Sequence, residues 1–261
     1  LRSGALTLAA GIPRRVGFQT SAGRRFYTEC VPYIEGEHQA LRLLRLGLPD
    51  DASPTNDAQW RPRLYPGARE RSDVDELLGN AGWTSSRFVV LAPGSIWGTK
   101  RWPFYTELAQ LLGDLRVVVV GAAADGELAR AIVGAIPDRA LDATRRVSLL
   151  ASAELIRRAR ALVTNDSAPL HLASAVDTPT VAIFGPTVPE FGFGPLARQR
   201  EVAGRADLAC RPCDRHGPQR CPLGHWRCMR DITPAQIAAL LQRAMLAQPA
   251  SPAPTSTSPI S

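Results

Sequence analysis

Residues 161–184 read "ALVTNDSAPLHLASAVDTPTVAIF", and this stretch decides the fold. An apolar run at 161–164 is followed by apolar residues three and four apart over 168–176, then by a second apolar run at 179–184. Strand, helix and strand in so short a span make a βαβ unit, whose strands lie parallel. Strands without polar alternation are those buried on both faces. The predicted fold class is α/β, built on a parallel sheet.

The same texture continues upstream. Residues 88–92 form a continuous apolar run stopped by Pro93 and Gly94, and 116–121 form another. Helical spacing follows over 104–112, 126–136 and 152–159. Downstream, 234–246 reads as a helix with Thr233 as N-cap and Pro234 in the first turn. Residues 248–261 are rich in Pro, Ser, Thr and Ala and carry no charge, so they are expected to be disordered. Residues 1–83 give a helix at 1–10, a strand at 15–18, a helix at 38–46, and a Pro/Asp/Arg-rich loop from 47 to about 71. That is too few strands to close a sheet. This part reads as the second half of a domain whose first half is absent, and a start at Leu1 without a leader reads as a piece of a longer chain. The expected organisation is a remnant domain at 1–83, a sheet domain at 84–232, a helix at 233–247 and a tail at 248–261.

The 261 residues carry 31 Lys+Arg against 24 Asp+Glu, a formal charge of +7, with 45% hydrophobic residues. Disorder throughout is excluded by that apolar content, and no run approaches the roughly 20 continuous apolar residues a bilayer helix needs. The basic residues are 30 Arg and one lysine, Lys100. Compositional bias explains the arginines but not the exception.

Ligand chemistry in such sheets gathers beyond the carboxyl ends of the strands. Three loops lie there. In "LAPGSIWGTKRWP" (91–103) a helix is expected near Pro103, and its free N–H groups with the hydroxyls of Ser95 and Thr99 would cradle a phosphate around Lys100. A compact ammonium suits one phosphate oxygen, where guanidinium prefers a planar target. The alternative is a surface lysine left by chance. In the second loop, Asn165-Asp166-Ser167 ends one strand and opens a helix, so its groups face the same sheet edge; simple helix capping is the competing reading. His171 sits one turn further on and can turn back towards a ligand, although a lone histidine on an otherwise apolar helix is more often structural. The third loop, 184–195, permits close backbone approach through its glycines and prolines.

The strings "PGSIWGTKRWP", "VTNDSAPLHLASAVDTPTVAIFGPT" and "CRPCDRHGPQRCPLGHWRCMRDITP", in this order, resemble glycosyltransferase family 9, the ADP-heptose:lipopolysaccharide heptosyltransferases. The last string looks most like the heptosyltransferase II members, and "LRSGALTLAAGIPRRVGF" extends the likeness to the start. The resemblance implies a GT-B architecture of two Rossmann-like domains, the C-terminal one holding the nucleotide sugar. It implies inverting, metal-independent transfer of heptose from ADP-heptose to the lipopolysaccharide inner core, at the cytoplasmic face of the inner membrane. Residue by residue, it puts Lys100 at the diphosphate or sugar and Asp166 near the sugar. Ser95 and Ile96 then lie by the phosphates, and Ser167 and Ala168 offer backbone N–H groups. Asp125 would hold the ribose, with Glu127 as substitute, and Val147 would line the adenine pocket. Ala168 departs from the family's glycine but keeps its amide. The family's general base lies in the first part of the N-terminal domain, upstream of Leu1.

Cys210-x2-Cys213-x7-Cys221-x6-Cys228, with His216 and His225 nearby, suggests a structural zinc site; free thiols or a disulfide are the alternatives. Cys30 stands apart. A zinc-stapled nucleic-acid or interaction module would also use the basic charge, but no aromatic-interleaved basic stripe appears and nucleic acid is not the expected partner. A nucleotide-sugar epimerase of the same architecture is the remaining alternative. The basic surface suits an anionic, lipid-linked acceptor and an anionic leaflet.

Overall fold

The computed structural model describes residues 1–48, 60–84 and 87–246. The tail expected at 248–261 and the centre of the loop expected from 47 lie outside the described residues.

Helix α1 (Arg2–Ala9) and the parallel strands β1 (Val16–Phe18) and β2 (Glu29–Val31) come first, then α2 (Gln39–Arg45). Helix α3 (Ala68–Asn80) follows, where the sequence reading carried a loop to about Arg71 and no helix. Its start is fixed by Glu70, whose carboxylate accepts from the Gly67 N–H at 2.7 Å. Its narrow apolar face, Val74, Leu77 and Leu78, is buried.

The larger sheet runs from β3 (Phe88–Ala92) through β4 (Arg116–Val119), β5 (Ala140–Asp142), β6 (Leu162–Asn165) and β7 (Thr180–Phe184) to β8 (Arg200–Gly204). Its spatial order is β5-β4-β3-β6-β7-β8, all six strands parallel. Alternation sorts the apolar strands into two cores. Val89, Leu91, Val117, Val119, Val163, Val181 and Ile183 face one layer, with α4 (Tyr105–Leu111), α5 (Gly126–Ala135) and α9 (Pro234–Leu246). Phe88, Val90, Val118 and Leu162 face the other, with α3, α6 (Leu149–Arg158) and α7 (Ala168–Val176). The short α8 (Arg227–Arg230) precedes α9, whose Thr233 cap is reciprocal: Thr233 Oγ1 accepts from Gln236 N at 3.3 Å and Thr233 N donates to Gln236 Oε1 at 2.9 Å.

Two details differ from expectation. After β3 the chain forms a single 3-10 turn at Gly98–Lys100, and α4 begins only at Tyr105. The helix start expected near Pro103 lies two residues further on, after a turn at Pro103 and Phe104, with the 3-10 turn at Gly98–Lys100 preceding it. Strands β5 and β8 were not legible beforehand, being short or polar.

Candidate active site

From β3 the chain passes outward to β4 on one side, while β6 lies on the other, with Ala92 registered against Thr164. The segments leaving the carboxyl ends of β3 and β6 diverge there and leave a crevice. Lys100 comes from the first segment and Asp166 from the second. Lys100 Nζ donates to Asp166 Oδ2 at 2.5 Å, and the two residues are each 8% exposed. Thr187, just after β7, donates from its hydroxyl to the same oxygen at 2.7 Å. A buried pair of this kind persists only with hydrogen bonds supporting it. The capping alternative for Asp166 is thereby displaced, since its carboxylate serves Lys100 and Thr187, and Ser167 at the N-cap of α7 makes no side-chain cap bond.

Asn165 braces the crevice from below. Its Oδ1 accepts from Trp102 N at 3.2 Å and from the Tyr105 hydroxyl at 3.3 Å, while its Nδ2 donates to the Pro93 carbonyl at 2.8 Å. Trp102 Nε1 reaches the Ile232 carbonyl at 2.9 Å. Burial pushes the Tyr105 phenol well above its usual pKa, so it remains a neutral donor.

A cavity of about 680 Å³ opens over the pair. Lys100, Asp166, Ser167 and Ala168 line it together with Ser95 and Ile96. Asp125, Val147 and His171 line it too. Asp125 is buried and its Oδ2 accepts from Ala122 N at 2.8 Å. Its carboxylate nests against two glycines: a Cβ on Gly94 would stand 2.3 Å from Asp125 Cγ, and one on Gly121 would stand 2.8 Å from Asp125 Oδ2. Glu127 is exposed and is not on the cavity wall. Thr99 is not on the wall either. It is 4% exposed and its hydroxyl is spent on the Pro218 carbonyl, so its expected part in a phosphate cradle is corrected to a packing one. His171 faces the cavity with its ring edge-on to Phe193 at 6.1 Å. Its concave surroundings desolvate it and lower its pKa; Asp166 opposes that shift and Lys100 adds to it.

The cysteine-rich segment forms part of the same site. Arg215 and His216 line the cavity, and His216 stacks on Trp97 with ring centroids 6.2 Å apart. Arg215 also donates to the Tyr33 hydroxyl at 2.9 Å. None of Trp97, Thr187 and Arg215 was singled out from the sequence, because neither spacing nor periodicity distinguishes them, and His216 was noted only beside the possible zinc ligands. The expected zinc quartet does not form. Among the described residues, no group of three or more His, Cys, Asp or Glu side chains is placed to share an ion. Cys213 Sγ instead donates to the Cys210 carbonyl at 3.2 Å, and Cys210 Sγ faces His225 Nε2 at 4.0 Å. Cys210, Cys213, Cys221 and Cys228 are free thiols, as is Cys30.

A buried ion pair where the connections of a parallel sheet diverge lies where such folds bind ligands. Comparison with known proteins makes the assignment narrower. The profile of glycosyltransferase family 9 (heptosyltransferase) matches residues 1–224. The chain belongs to glycosyltransferase family 9. Lipopolysaccharide heptosyltransferase 1 of Pseudomonas aeruginosa is 31% identical over 213 residues, covering 79% of this chain and 56% of that protein. Lipopolysaccharide heptosyltransferase 2 of Escherichia coli K12 is 30% identical over 221 residues, covering 77% of this chain and 61% of that protein. The chain thus spans little more than half the length of these relatives.

Among solved structures, E. coli ADP-heptose lps heptosyltransferase II superposes with a TM-score of 0.73 at 26% identity, over 94% of this family 9 chain and 73% of that one. A family 9 glycosyltransferase from Veillonella parvula superposes with a TM-score of 0.75 at 22% identity, over 95% and 71% of the two chains, and shares the fold. These neighbours establish the α/β, GT-B-like architecture of the family 9 chain.

Proposed function

We propose that this chain is the donor-binding part of an inverting heptosyltransferase that transfers heptose from ADP-heptose to the lipopolysaccharide inner core. The observation that carries the reading is the Lys100–Asp166–Thr187 cluster buried at the floor of the cavity. An ammonium has three donor hydrogens, and Asp166 takes one. The others are available to a diphosphate. Breaking the sugar–diphosphate bond builds negative charge on the leaving β-phosphate, which a fixed cation in a water-poor site stabilises strongly. The N-terminus of α7, with the Ser167 and Ala168 amides, adds partial positive charge. This set supports a chemistry that needs no metal ion.

In this reading Lys100 and Asp166 are catalytic. Ser95 and Ile96 flank the phosphates, Asp125 receives the ribose hydroxyls, Val147 packs on adenine and His171 stands beside the sugar as a neutral group. Residues 1–83 belong to an acceptor-facing domain and 84–232 to the donor domain. The net charge of +7 favours an anionic lipid-linked acceptor and peripheral contact with the cytoplasmic face of the inner membrane. No helix among the described residues is long and apolar enough to cross a membrane.

Calorimetric titration of the chain with ADP-heptose, ADP, UDP-glucose and a DNA duplex tests this. Binding of the two ADP compounds alone is expected. Equal affinity for UDP-glucose, or binding of the duplex in their place, refutes it.

A further inference from the structure

The segment 211–219 touches both arms of the buried cluster, although it lies in neither of the loops that carry Lys100 and Asp166. On one side it grips the Lys100 turn. Gln219 Oε1 accepts from Gly98 N at 3.0 Å and Gln219 Nε2 donates to the Ile96 carbonyl at 3.1 Å, so one amide clamps both ends of a three-residue stretch. The Pro218 carbonyl accepts from Thr99 N at 3.3 Å and from the Thr99 hydroxyl. The fit is close: a Cβ on Gly98 would stand 2.4 Å from the Gln219 carbonyl oxygen, and one on Gly217 would stand 3.4 Å from Lys100 Cε. On the other side the segment grips the chain leaving β7. Arg211 donates to the carbonyls of Phe184 at 3.0 Å and Thr187 at 2.8 Å, and also to that of Gly185. Cys213 N donates to the Pro186 carbonyl at 2.9 Å.

We infer that Gln219 and Arg211 are positioning residues, which together fix the separation of Lys100 from the Asp166–Thr187 pair. Gln219 sets the turn that presents the ammonium. Arg211 sets the loop whose Thr187 hydroxyl orients the carboxylate. Neither side chain lies on the cavity wall. This inference rests on the reading of the cluster as the donor site.

Gln219 is exposed, so replacing it leaves the core intact and separates positioning from folding. Because Lys100 is the one lysine in the chain, growth on ¹⁵N-lysine gives a single side-chain ammonium signal. In Gln219→Ala that signal is expected to shift and its hydrogens to exchange faster with water. ADP affinity should fall about tenfold, in keeping with the cost of small misplacements, while the melting temperature stays put. Gln219→Glu keeps the acceptor for Gly98 and loses the donor to Ile96, and should fall between. Arg243→Ala, at an exposed pair with Glu201, serves as the unaffected control. An unchanged Lys100 signal in Gln219→Ala overturns the inference. If ADP-heptose leaves the wild-type signal unmoved, the donor-site reading fails, whereas the response to Gln219→Ala still decides the positioning.

Discussion

Lys100 and Asp166 stand 66 positions apart in sequence and 2.5 Å apart in space, each less than a tenth exposed. Two neighbouring strands make this contact: β3 delivers one residue and β6 the other, from the edge where their connections part. Opposite charges held there cancel each other until an anionic ligand competes for the ammonium. In the proposed function the pair is a pre-set donor whose strength appears when a phosphate arrives.

Lys100→Ala should lower ADP-heptose turnover, measured in the full-length protein, by about 10²-fold, the usual cost of losing a donor aimed at developing negative charge. Lys100→Arg should not restore it, since a planar fork does not fit the enclosed place of an ammonium. Near-normal turnover in Lys100→Ala would remove the residue from the mechanism.

Asp166→Asn leaves a buried ammonium without its counter-charge. Urea unfolding should register a loss of about 3 kcal/mol, the scale for breaking one partner of a buried pair. Adding Lys100→Met to that variant should recover most of the stability and none of the nucleotide affinity. Recovery of both would mean that the pair serves folding alone.

Gly94→Ala pushes a methyl group into the Asp125 carboxylate, which a Cβ there would approach to 2.3 Å. Displacing Asp125 should make ADP and 2′,3′-dideoxy-ADP bind equally weakly, whereas the unaltered chain should prefer ADP. Calorimetry with the two nucleotides reads the difference directly.

The thiols should separate by reactivity. Burial pushes Cys228 up to about 11, with Cys213 adding to the rise. Burial also acts to raise Cys221, but the backbone N–H groups around it, from Trp226 first, outweigh that and lower it. Iodoacetamide near neutral pH, followed by peptide mass spectrometry, should label Cys221 long before Cys228. Linkage gives a second readout. The folded chain holds the Cys228 proton more tightly than the unfolded chain, so its contribution is complete below about pH 9 and is lost as pH rises towards about 11. Cys228→Ala should flatten that part of the stability profile.

The central strands were legible because they are apolar without interruption: β3 and β7 are buried at all five positions, and β6 at all four. Strand β8 was not, because as an edge strand it leaves Arg200, Val202 and Gly204 exposed and mimics a loop. Strand β5 is only three residues long and half-buried throughout. Helix α3 was hidden in a charged stretch, although Gly67 followed by Glu70 was a usable start signal. Within the site, Lys100 was legible as a compositional exception and Asp166 by its place after a strand. Thr99 was misread because a hydroxyl beside a lysine looks the same whether it faces a ligand or a backbone carbonyl. Thr187, Arg211 and Gln219 act through contacts between segments remote in sequence, which periodicity cannot register.

Among the described residues, every rung of the larger sheet joins residues between Phe88 and Gly204, and none crosses to β1 or β2. A half whose backbone pairing is so self-contained can be recombined during evolution with different companions. On the proposed function, the donor-binding unit would then keep its strand register whatever companion it carries.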